Sequence, residues 1–185
     1  IVPVFDEDGW DIDLPARHGD LTHLDISYYI VRVKVPDDLK VIGSGIVLDH
    51  RTQDGWQTLT FAAGPMRDFY LAAGDFQVQS TSFGETRIHS YILPGAEEFS
   101  ETALHISKTA IAILNERLNK YPYTEFDMIS TPMLALGMEY PGVIALNKNM
   151  YDPEAQISDL PGTYYLESTI AHEVAHQWYY NQVGT

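Results

Sequence analysis

Two histidines and a glutamate near the end of the chain form the pattern H-E-x-x-H at residues 172–176. Residues four apart lie about one turn apart on the same face of a helix, so the imidazoles of His172 and His176 could bind one metal ion. This pattern is typical of zinc sites, in which the carboxylate of Glu173 holds a water molecule and accepts its proton. The alternative is an amphipathic helix that exposes two histidines, because no third protein ligand can be identified from spacing within the chain.

A glycine-rich segment with one carboxylate precedes this pattern and reads Leu136-Gly137-Met138-Glu139-Tyr140-Pro141-Gly142. Glycine allows a backbone to approach a ligand closely. A carboxylate such as Glu139 near a zinc site could bind a cationic amine. Taken alone, however, the segment favours a loop rich in glycine and proline that joins two short strands and carries one solvated Glu.

A helix is needed to place both histidines on one face. The sequence predicts one that opens at Thr163, a possible N-cap after a Pro-Gly break, and runs to about Asn181. Short apolar runs at 126–130 and 143–146 predict strands on either side of the Glu139 segment.

Another helix is predicted between Pro94-Gly95 and Tyr121-Pro122, because apolar residues recur there on one stripe. The members of that stripe are Ala103, Ile106, Ala110, Ile113, Leu114 and Leu118. Acidic residues near its start and basic residues near its end suit the helix dipole.

Residues 24–93 have the pattern of β structure. From Asp25 to Val35, apolar residues such as Val33 alternate with Arg32 and Lys34, which predicts a half-buried strand. Further short strands with turn signals between them are typical of a sandwich or a curved sheet. The sequence therefore predicts an α+β chain, with a β domain at residues 1–95 and the start of an α+β domain at residues 96–185.

The composition excludes some classes of function. Eleven Lys and Arg against 26 Asp and Glu give a formal charge of −15, which repels nucleic acid and disfavours anionic membrane surfaces. The absence of cysteine removes disulfides, thiolate metal sites and cysteine nucleophiles. No apolar run approaches the roughly 18 residues that a membrane span needs. Oligomeric state and compartment have no signal in the sequence.

Together, the two motifs resemble the M1 family of zinc metallopeptidases, the gluzincin aminopeptidases. That family's G-x-M-E-N segment precedes its H-E-x-x-H by a few tens of residues, as residues 136–140 do here, and His176-Gln177-Trp178 continues the motif in the same way. Tyr121-Pro122-Tyr123 is similar to a Tyr-Pro-Tyr that follows the first helix of the family's catalytic domain. Trp10 and the strand ending in Val35-Pro36 resemble the family's N-terminal β domain.

The resemblance implies a thermolysin-like zinc-peptidase domain and an aminopeptidase that hydrolyses N-terminal peptide bonds through a zinc-activated water. The implied cofactor is Zn²⁺ and the implied partner is a peptide substrate. On individual positions it implies that His172 and His176 are zinc ligands and that Glu173 is the general base. Glu139 would bind the free α-amine of the substrate, and Gly137 and Met138 would offer backbone groups to an extended substrate. The alternative for Met138 is plain packing.

Some features depart from the family. Leu136 stands where the family has Gly and Tyr140 where it has Asn, which leaves substrate preference and strict aminopeptidase action open. The family's third zinc ligand, a Glu, and its transition-state-stabilising Tyr would both fall beyond Thr185. The chain also begins at Ile1 without Met. We therefore expect a fragment from which any targeting peptide has been removed and which is inactive alone. The alternative function is a non-catalytic binding or scaffold module with a peptidase-like fold.

Overall fold

The computed structural model describes residues 5–10 and 26–182. Its strands, in chain order, are β1 (Phe5–Asp6), β2 (Gly9–Trp10), β3 (Ser27–Pro36), β4 (Lys40–Gly43), β5 (Ile46–Gln53), β6 (Trp56–Met66), β7 (Leu71–Gly74), β8 (Gln77–Phe83), β9 (Thr86–Ile92), β10 (Glu125–Thr131), β11 (Gly137–Tyr140), β12 (Val143–Asn147), β13 (Gln156–Ile157) and β14 (Leu160–Pro161). The α-helices are α1 (Ser100–Arg117) and α2 (Leu166–Ala175), and short 3₁₀ turns lie at Lys148–Tyr151 and Gly162–Tyr165. The chain is thus mixed, with several β-sheets followed by helices.

Strands β3, β6 and β5 form an antiparallel sheet with β6 in the centre. The alternation predicted between Asp25 and Val35 is confirmed along β3, where Val33 is partly buried while Arg32 and Lys34 are exposed. Asp25 itself lies outside the described residues. Because successive side chains of a strand point to opposite faces, one face of this sheet is partly covered and the other faces solvent.

A five-stranded mixed sheet, in the order β11-β12-β10-β9-β8, supports the candidate site. The central strands β9, β10 and β12 are parallel, and β8 and β11 are antiparallel to their neighbours at the two edges. Parallel strands need a crossover connection, which α1 supplies between β9 and β10. Strands from both sides of residue 95 therefore share one sheet. The division into residues 1–95 and 96–185 stays a prediction, and residues 1–4, 11–25 and 183–185 lie outside the described part of the chain.

The two faces of this sheet pack against different layers. One face contacts α1 and α2 in the larger apolar core, whose fully buried members include Ile88, Phe126, Met128, Ile144 and Ile170. The other face contacts β4 and the segment after β7 in a smaller core of Ile42, Phe76, Ile129 and Val143. Side chains on the first face of β11 consequently point towards α2.

The segment that was expected to be a loop around Glu139 contains the strand β11. This strand pairs with β12 along its whole length, and a tight Pro141-Gly142 turn joins the two. Gly142 has a φ of 77°, which glycine adopts without steric cost. The loop prediction was wrong because the glycine and proline content was assigned to the whole segment, whereas the turn uses only its last two residues.

Helix α1 confirms the helix predicted before Tyr121-Pro122, but its buried stripe is rotated. The buried residues are Ser100, Ala103, Leu104, Ser107 and Ile111. Ile113 and Leu118, which were expected on the stripe, are 45% and 44% exposed. Ser107 can face the core because its hydroxyl donates to the carbonyl oxygen of Leu104 at 3.0 Å. A stripe read only from apolar residues misses such small polar members.

Neither helix of the described residues has the length and apolar character that crossing a bilayer would require.

Candidate metal centre

Helix α2 carries the H-E-x-x-H pattern and is anchored to the sheet by apolar side chains. Ile170 and Val174 are fully buried, and their four-residue spacing places them on one face. Glu173 lies beside this stripe and is only 6% exposed. His172 is exposed and His176 is half-buried. The helix therefore directs the glutamate inwards, towards the sheet, and leaves the histidines at the rim.

Helix α2 is shorter than the helix predicted from Thr163 to about Asn181. A 3₁₀ turn at Gly162–Tyr165 precedes it, and it ends at Ala175. Tyr180 has a φ of 101°, a conformation that an α-helix cannot contain. Both predicted ends were wrong because the residues around the motif pack against other elements, which local sequence signals do not reveal.

The two imidazoles face each other at the end of α2. Nε2 of His172 and Nε2 of His176 are 3.1 Å apart. Two nitrogens bound to one tetrahedral zinc ion would be about 3.3 Å apart, so the pair has the spacing of ligands that share an ion. Nδ1 of His176 lies 3.1 Å from the carbonyl oxygen of Tyr179. Donation to that carbonyl keeps the proton of His176 on Nδ1 and leaves Nε2 with a free lone pair.

Glu173 is enclosed between α2 and β11. Its Oε2 has no hydrogen-bond partner among the described residues. Burial, followed by the nearby carboxylate of Glu139, raises the pKa of Glu173 above its ordinary value. A Cβ placed on Gly137 would lie 2.5 Å from Oε1 of Glu173 and 2.7 Å from its Cγ. Glycine at position 137 therefore leaves the space that the Glu173 side chain occupies.

Glu139 approaches the same place from the sheet. It pairs with Ile144, a member of the core beneath the helices, and so lies on the face that α2 covers. Oε1 of Glu139 is 3.8 Å from Nδ1 of His176. Ligand atoms of Glu139, Glu173 and His176 all lie within 4.8 Å of one another. Together with His172 they form a cluster of nitrogen and carboxylate donors, the ligand types that zinc accepts.

Strand β11 is an edge of the mixed sheet in the part of the chain that the structure describes. The outer backbone groups of an edge strand can pair with another extended chain. Gly137 and Met138 both belong to this strand. Met138 is 38% exposed and lies on the face opposite Glu139, so its side chain is not part of a buried core.

Sequence reasoning identified Gln177 only as a continuation of the motif and missed its contacts. Oε1 of this fully buried side chain accepts from the N–H of Gly142 at 2.9 Å, and Nε2 donates to the carbonyl oxygen of Tyr140 at 3.0 Å. The next residue, Trp178, is also buried, and its indole N–H donates to the carbonyl oxygen of Asn119 at 3.0 Å. The sequence offered one signal: the side-chain amide of Gln177, which has both a donor and an acceptor group, stands between His176 and Trp178.

The model of the family described as "Peptidase family M1 domain" matches residues 102–185. That range contains nearly all of α1 together with β10, β11, β12 and α2, and hence every residue of the donor cluster.

Curated proteins similar to this chain include aminopeptidases from plants, archaea and bacteria. The chain is 25% identical over 160 residues to Aminopeptidase M1 of Arabidopsis thaliana, which covers 83% of this chain and 18% of that protein. It is 29% identical over 152 residues to Probable aminopeptidase 2 of Sulfurisphaera tokodaii, and the match covers 80% of this chain and 19% of that protein. It is 33% identical over 129 residues to Aminopeptidase N of Acetobacter pasteurianus, and the match covers 65% of this chain and 36% of that protein. The chain thus spans less than a fifth of the length of the first two relatives.

Proposed function

This chain belongs to the peptidase M1 family, and we propose that its donor cluster serves a zinc-dependent aminopeptidase. The observation that carries the proposal is that ligand atoms of Glu139 on β11, Glu173 on α2 and His176 directly after α2 lie within 4.8 Å of one another. A cluster of imidazoles and carboxylates at the open edge of a sheet can hold a metal ion beside an extended peptide. The relatives' names provide the reaction class, since they are aminopeptidases.

His172 and His176 would hold the zinc ion through their Nε2 atoms. The 3.1 Å separation of these atoms fits a shared ion, and the hydrogen bond from His176 to the carbonyl oxygen of Tyr179 fixes the required tautomer. When bound, zinc supplies Lewis-acid chemistry, which polarises a carbonyl group and lowers the pKa of water.

Glu173 would act as the general base. Its buried carboxylate accepts a proton from the water molecule that attacks the carbonyl carbon of the scissile peptide bond. As the bond between that carbon and the leaving nitrogen breaks, Glu173 returns the proton to the nitrogen. Its buried Oε2 has no hydrogen-bond partner among the described residues, which fits an oxygen that takes up the proton of water.

Glu139 would bind the ammonium group at the N-terminus of the substrate. Its Oε1 lies 3.8 Å from Nδ1 of His176, and its ligand atom lies within 4.8 Å of that of Glu173, the proposed general base. A peptide would therefore have to place its first residue at the metal for its ammonium group to reach Glu139. Gly137 and Met138 would offer backbone groups of β11 to the substrate as an added strand. With the free amine held at Glu139, the bond that is cleaved would be the one that follows the first residue of the peptide.

We also propose that residues 1–95 belong to an N-terminal β domain and that residues 96–185 begin a thermolysin-like catalytic domain. The support is the match of the family model to residues 102–185 and the change from small antiparallel sheets to a sheet covered by helices. Because β8 and β9 pair into that sheet, the two units would share a continuous hydrogen-bonded layer.

The test is hydrolysis of short peptides with free and with acetylated N-termini by the zinc-loaded protein. The longest product of the gene should be assayed, with the 185-residue chain beside it. We expect cleavage of the free peptides and a loss of roughly 10²-fold or more in kcat for Glu173→Gln. Glu167→Gln makes the same change on an exposed part of α2 and should leave kcat unchanged.

Three results would contradict parts of this proposal. A folded, zinc-loaded protein that cleaves neither class of peptide would identify a binding or scaffold module rather than a peptidase. Equal cleavage of free and acetylated peptides would remove the role assigned to Glu139. A folded protein that binds no zinc at all would remove the metal from the site.

A further inference from the structure

Gln177 connects the end of the metal-binding helix to the strand that carries Glu139. The residue directly follows His176, and its side chain is fully buried. Its amide oxygen accepts from the N–H of Gly142 at 2.9 Å, and its amide nitrogen donates to the carbonyl oxygen of Tyr140 at 3.0 Å. Both polar groups of the amide are therefore used on one turn.

The turn that Gln177 holds is the one between β11 and β12. Gly142 also accepts, through its carbonyl oxygen, from the N–H of Asp127 at 3.0 Å. The turn is thus fixed to the centre of the sheet on one side and to the helix on the other. Tyr140 is the neighbour of Glu139 in the chain, as Gln177 is of His176. The two hydrogen bonds consequently provide a short covalent and hydrogen-bonded path between the carboxylate and the imidazole.

We propose that Gln177 is a positioning residue that sets the distance between the amine-binding carboxylate of Glu139 and the His172–Glu173–His176 cluster. The inference rests on the function proposed above, because it assigns Glu139 the recognition of a free N-terminus. An ion pair between a carboxylate and an ammonium group weakens as the two separate. A shift of β11 by one ångström relative to α2 would move the bound amine away from the reacting carbonyl.

Removal of the amide has a predictable local effect. An apolar side chain at position 177 would leave the buried N–H of Gly142 without its partner. It would also remove one of the hydrogen bonds to the carbonyl oxygen of Tyr140, which still pairs with Val143 across the hairpin. The turn would then move to find new partners, and Glu139 would move with it. His172 and His176 depend on the helix and on the carbonyl oxygen of Tyr179, so the imidazole pair should keep its spacing.

The variant for the test is Gln177→Met, which preserves length and removes both hydrogen bonds. Its matched control is Gln57→Met in β6, far from the site in sequence and sheet. Gln57 is 6% exposed, and its amide nitrogen donates to the carbonyl oxygens of Pro36 at 3.1 Å and Leu39 at 2.5 Å. Each of the two variants therefore removes a buried side-chain amide that is hydrogen-bonded to the backbone of a turn.

For Gln177→Met we expect the KM for peptides with a free amine to rise roughly 10-fold to 10²-fold. The ratio of kcat/KM between free and acetylated peptides should fall by the same factor, because only the free peptides use Glu139. Hydrogen exchange of the Gly142 amide, measured by NMR on the metal-free protein, should be faster than in Gln57→Met. Should Gln177→Met fail to fold, Gln177→Glu retains the acceptor for Gly142 and should raise the same KM.

The outcomes separate the two proposals. If the wild-type protein is active and the Gln177 variants change kcat and KM by the same factors as Gln57→Met, the positioning role alone is contradicted. Unchanged protection of the Gly142 amide in Gln177→Met contradicts it as well. If the zinc-loaded wild-type protein has no peptidase activity, the proposed function is contradicted, and the positioning role of Gln177 is contradicted too because it depends on that function.

Discussion

At the scale of single residues, the side chain of Glu173 occupies the space that a side chain at position 137 would need. A Cβ on Gly137 would lie 2.5 Å from Oε1, 2.7 Å from Cγ and 2.8 Å from Cδ of Glu173. Gly137→Ala should therefore displace the carboxylate of the proposed general base. We expect kcat to fall by roughly 10-fold to 10²-fold and the free energy of unfolding to fall by about 1–3 kcal/mol. Steady-state kinetics and urea unfolding measure the two effects.

The control for this substitution is Gly43→Ala, where a new Cβ would be 3.1 Å from Phe61 and 3.3 Å from Phe69. It crowds a remote core and should affect stability without a selective loss of kcat. The double variant Gly137→Ala with Glu173→Gln should lose little more kcat than Glu173→Gln alone, because both changes act on one carboxylate. Fully additive losses would show that Gly137 acts in another way.

Residue types and spacing predicted the members of the candidate site, but their mutual contacts depended on tertiary structure. The spacing of His172 and His176 followed from helical periodicity alone. The approach of Gly137 to Glu173 and the hydrogen bonds of Gln177 join β11 to α2, which are more than 25 residues apart in the chain. Nothing local in the sequence encodes which turn a buried amide will meet.

At the scale of elements, β10 carries a buried carboxylate in the middle of the mixed sheet. Asp127 is 6% exposed, and its Oδ1 has no hydrogen-bond partner among the described residues. Burial, and then the negative charge of Glu125, raise the pKa of Asp127 to about 8, against the opposing effect of Arg87. The folded state therefore binds this proton more tightly than the unfolded chain, in which the pKa of Asp is about 3.9.

The sign of the pH dependence follows from this difference. The contribution of Asp127 to the free energy of unfolding should fall as pH rises between about 4 and about 8, where the folded state holds the proton and the unfolded state does not. Asp127→Asn removes that loss. We expect it to stabilise the protein by about 1–3 kcal/mol near pH 8.5 and to have little effect near pH 4, where both states still hold much of the proton, as measured by urea unfolding.

Asp38→Asn gives the same change in net charge at an exposed position and should alter stability equally little at both pH values. If Asp127→Asn destabilised the protein at high pH, the carboxylate would have to make a favourable interaction in its ionised form. The same substitution should leave the site intact, because Asp127 lies on the sheet face opposite Glu139.

Strong periodicity predicted the existence of the elements better than their ends. The strand β3 and the helix α1 follow from alternation and from a 3.6-residue stripe. The end of α2 at Ala175 does not, because the chain after it turns so that Trp178 packs beside Tyr121, with ring centroids 5.6 Å apart, and Tyr180 takes a φ of 101°. Tertiary packing overrode a local pattern that would otherwise extend the helix to Asn181.

At the scale of the whole molecule, the mixed sheet is the platform to which both parts of the site attach. Glu139 reaches the cluster from an edge strand of this sheet, and the two histidines reach it from a helix packed on its face. The formal charge of −15 attracts cations in general. Metal binding should therefore be judged by its effect on the stability of the folded protein, and by the loss of that effect when the metal-binding side chains are removed.

Zinc should stabilise the folded protein, because the unfolded chain does not hold His172 and His176 at a 3.1 Å separation. At a free zinc concentration of about 100 times Kd, linkage gives about 2.7 kcal/mol, which for a chain of this size corresponds to a rise in Tm of about 5–10 °C. Calorimetry with zinc and with a chelator measures the difference. The double variant His172→Ala with His176→Ala should lose the shift, whereas His105→Ala, which removes an exposed histidine of α1, should retain it. An equal shift in all three proteins would mean that zinc binds the acidic surface non-specifically rather than this centre.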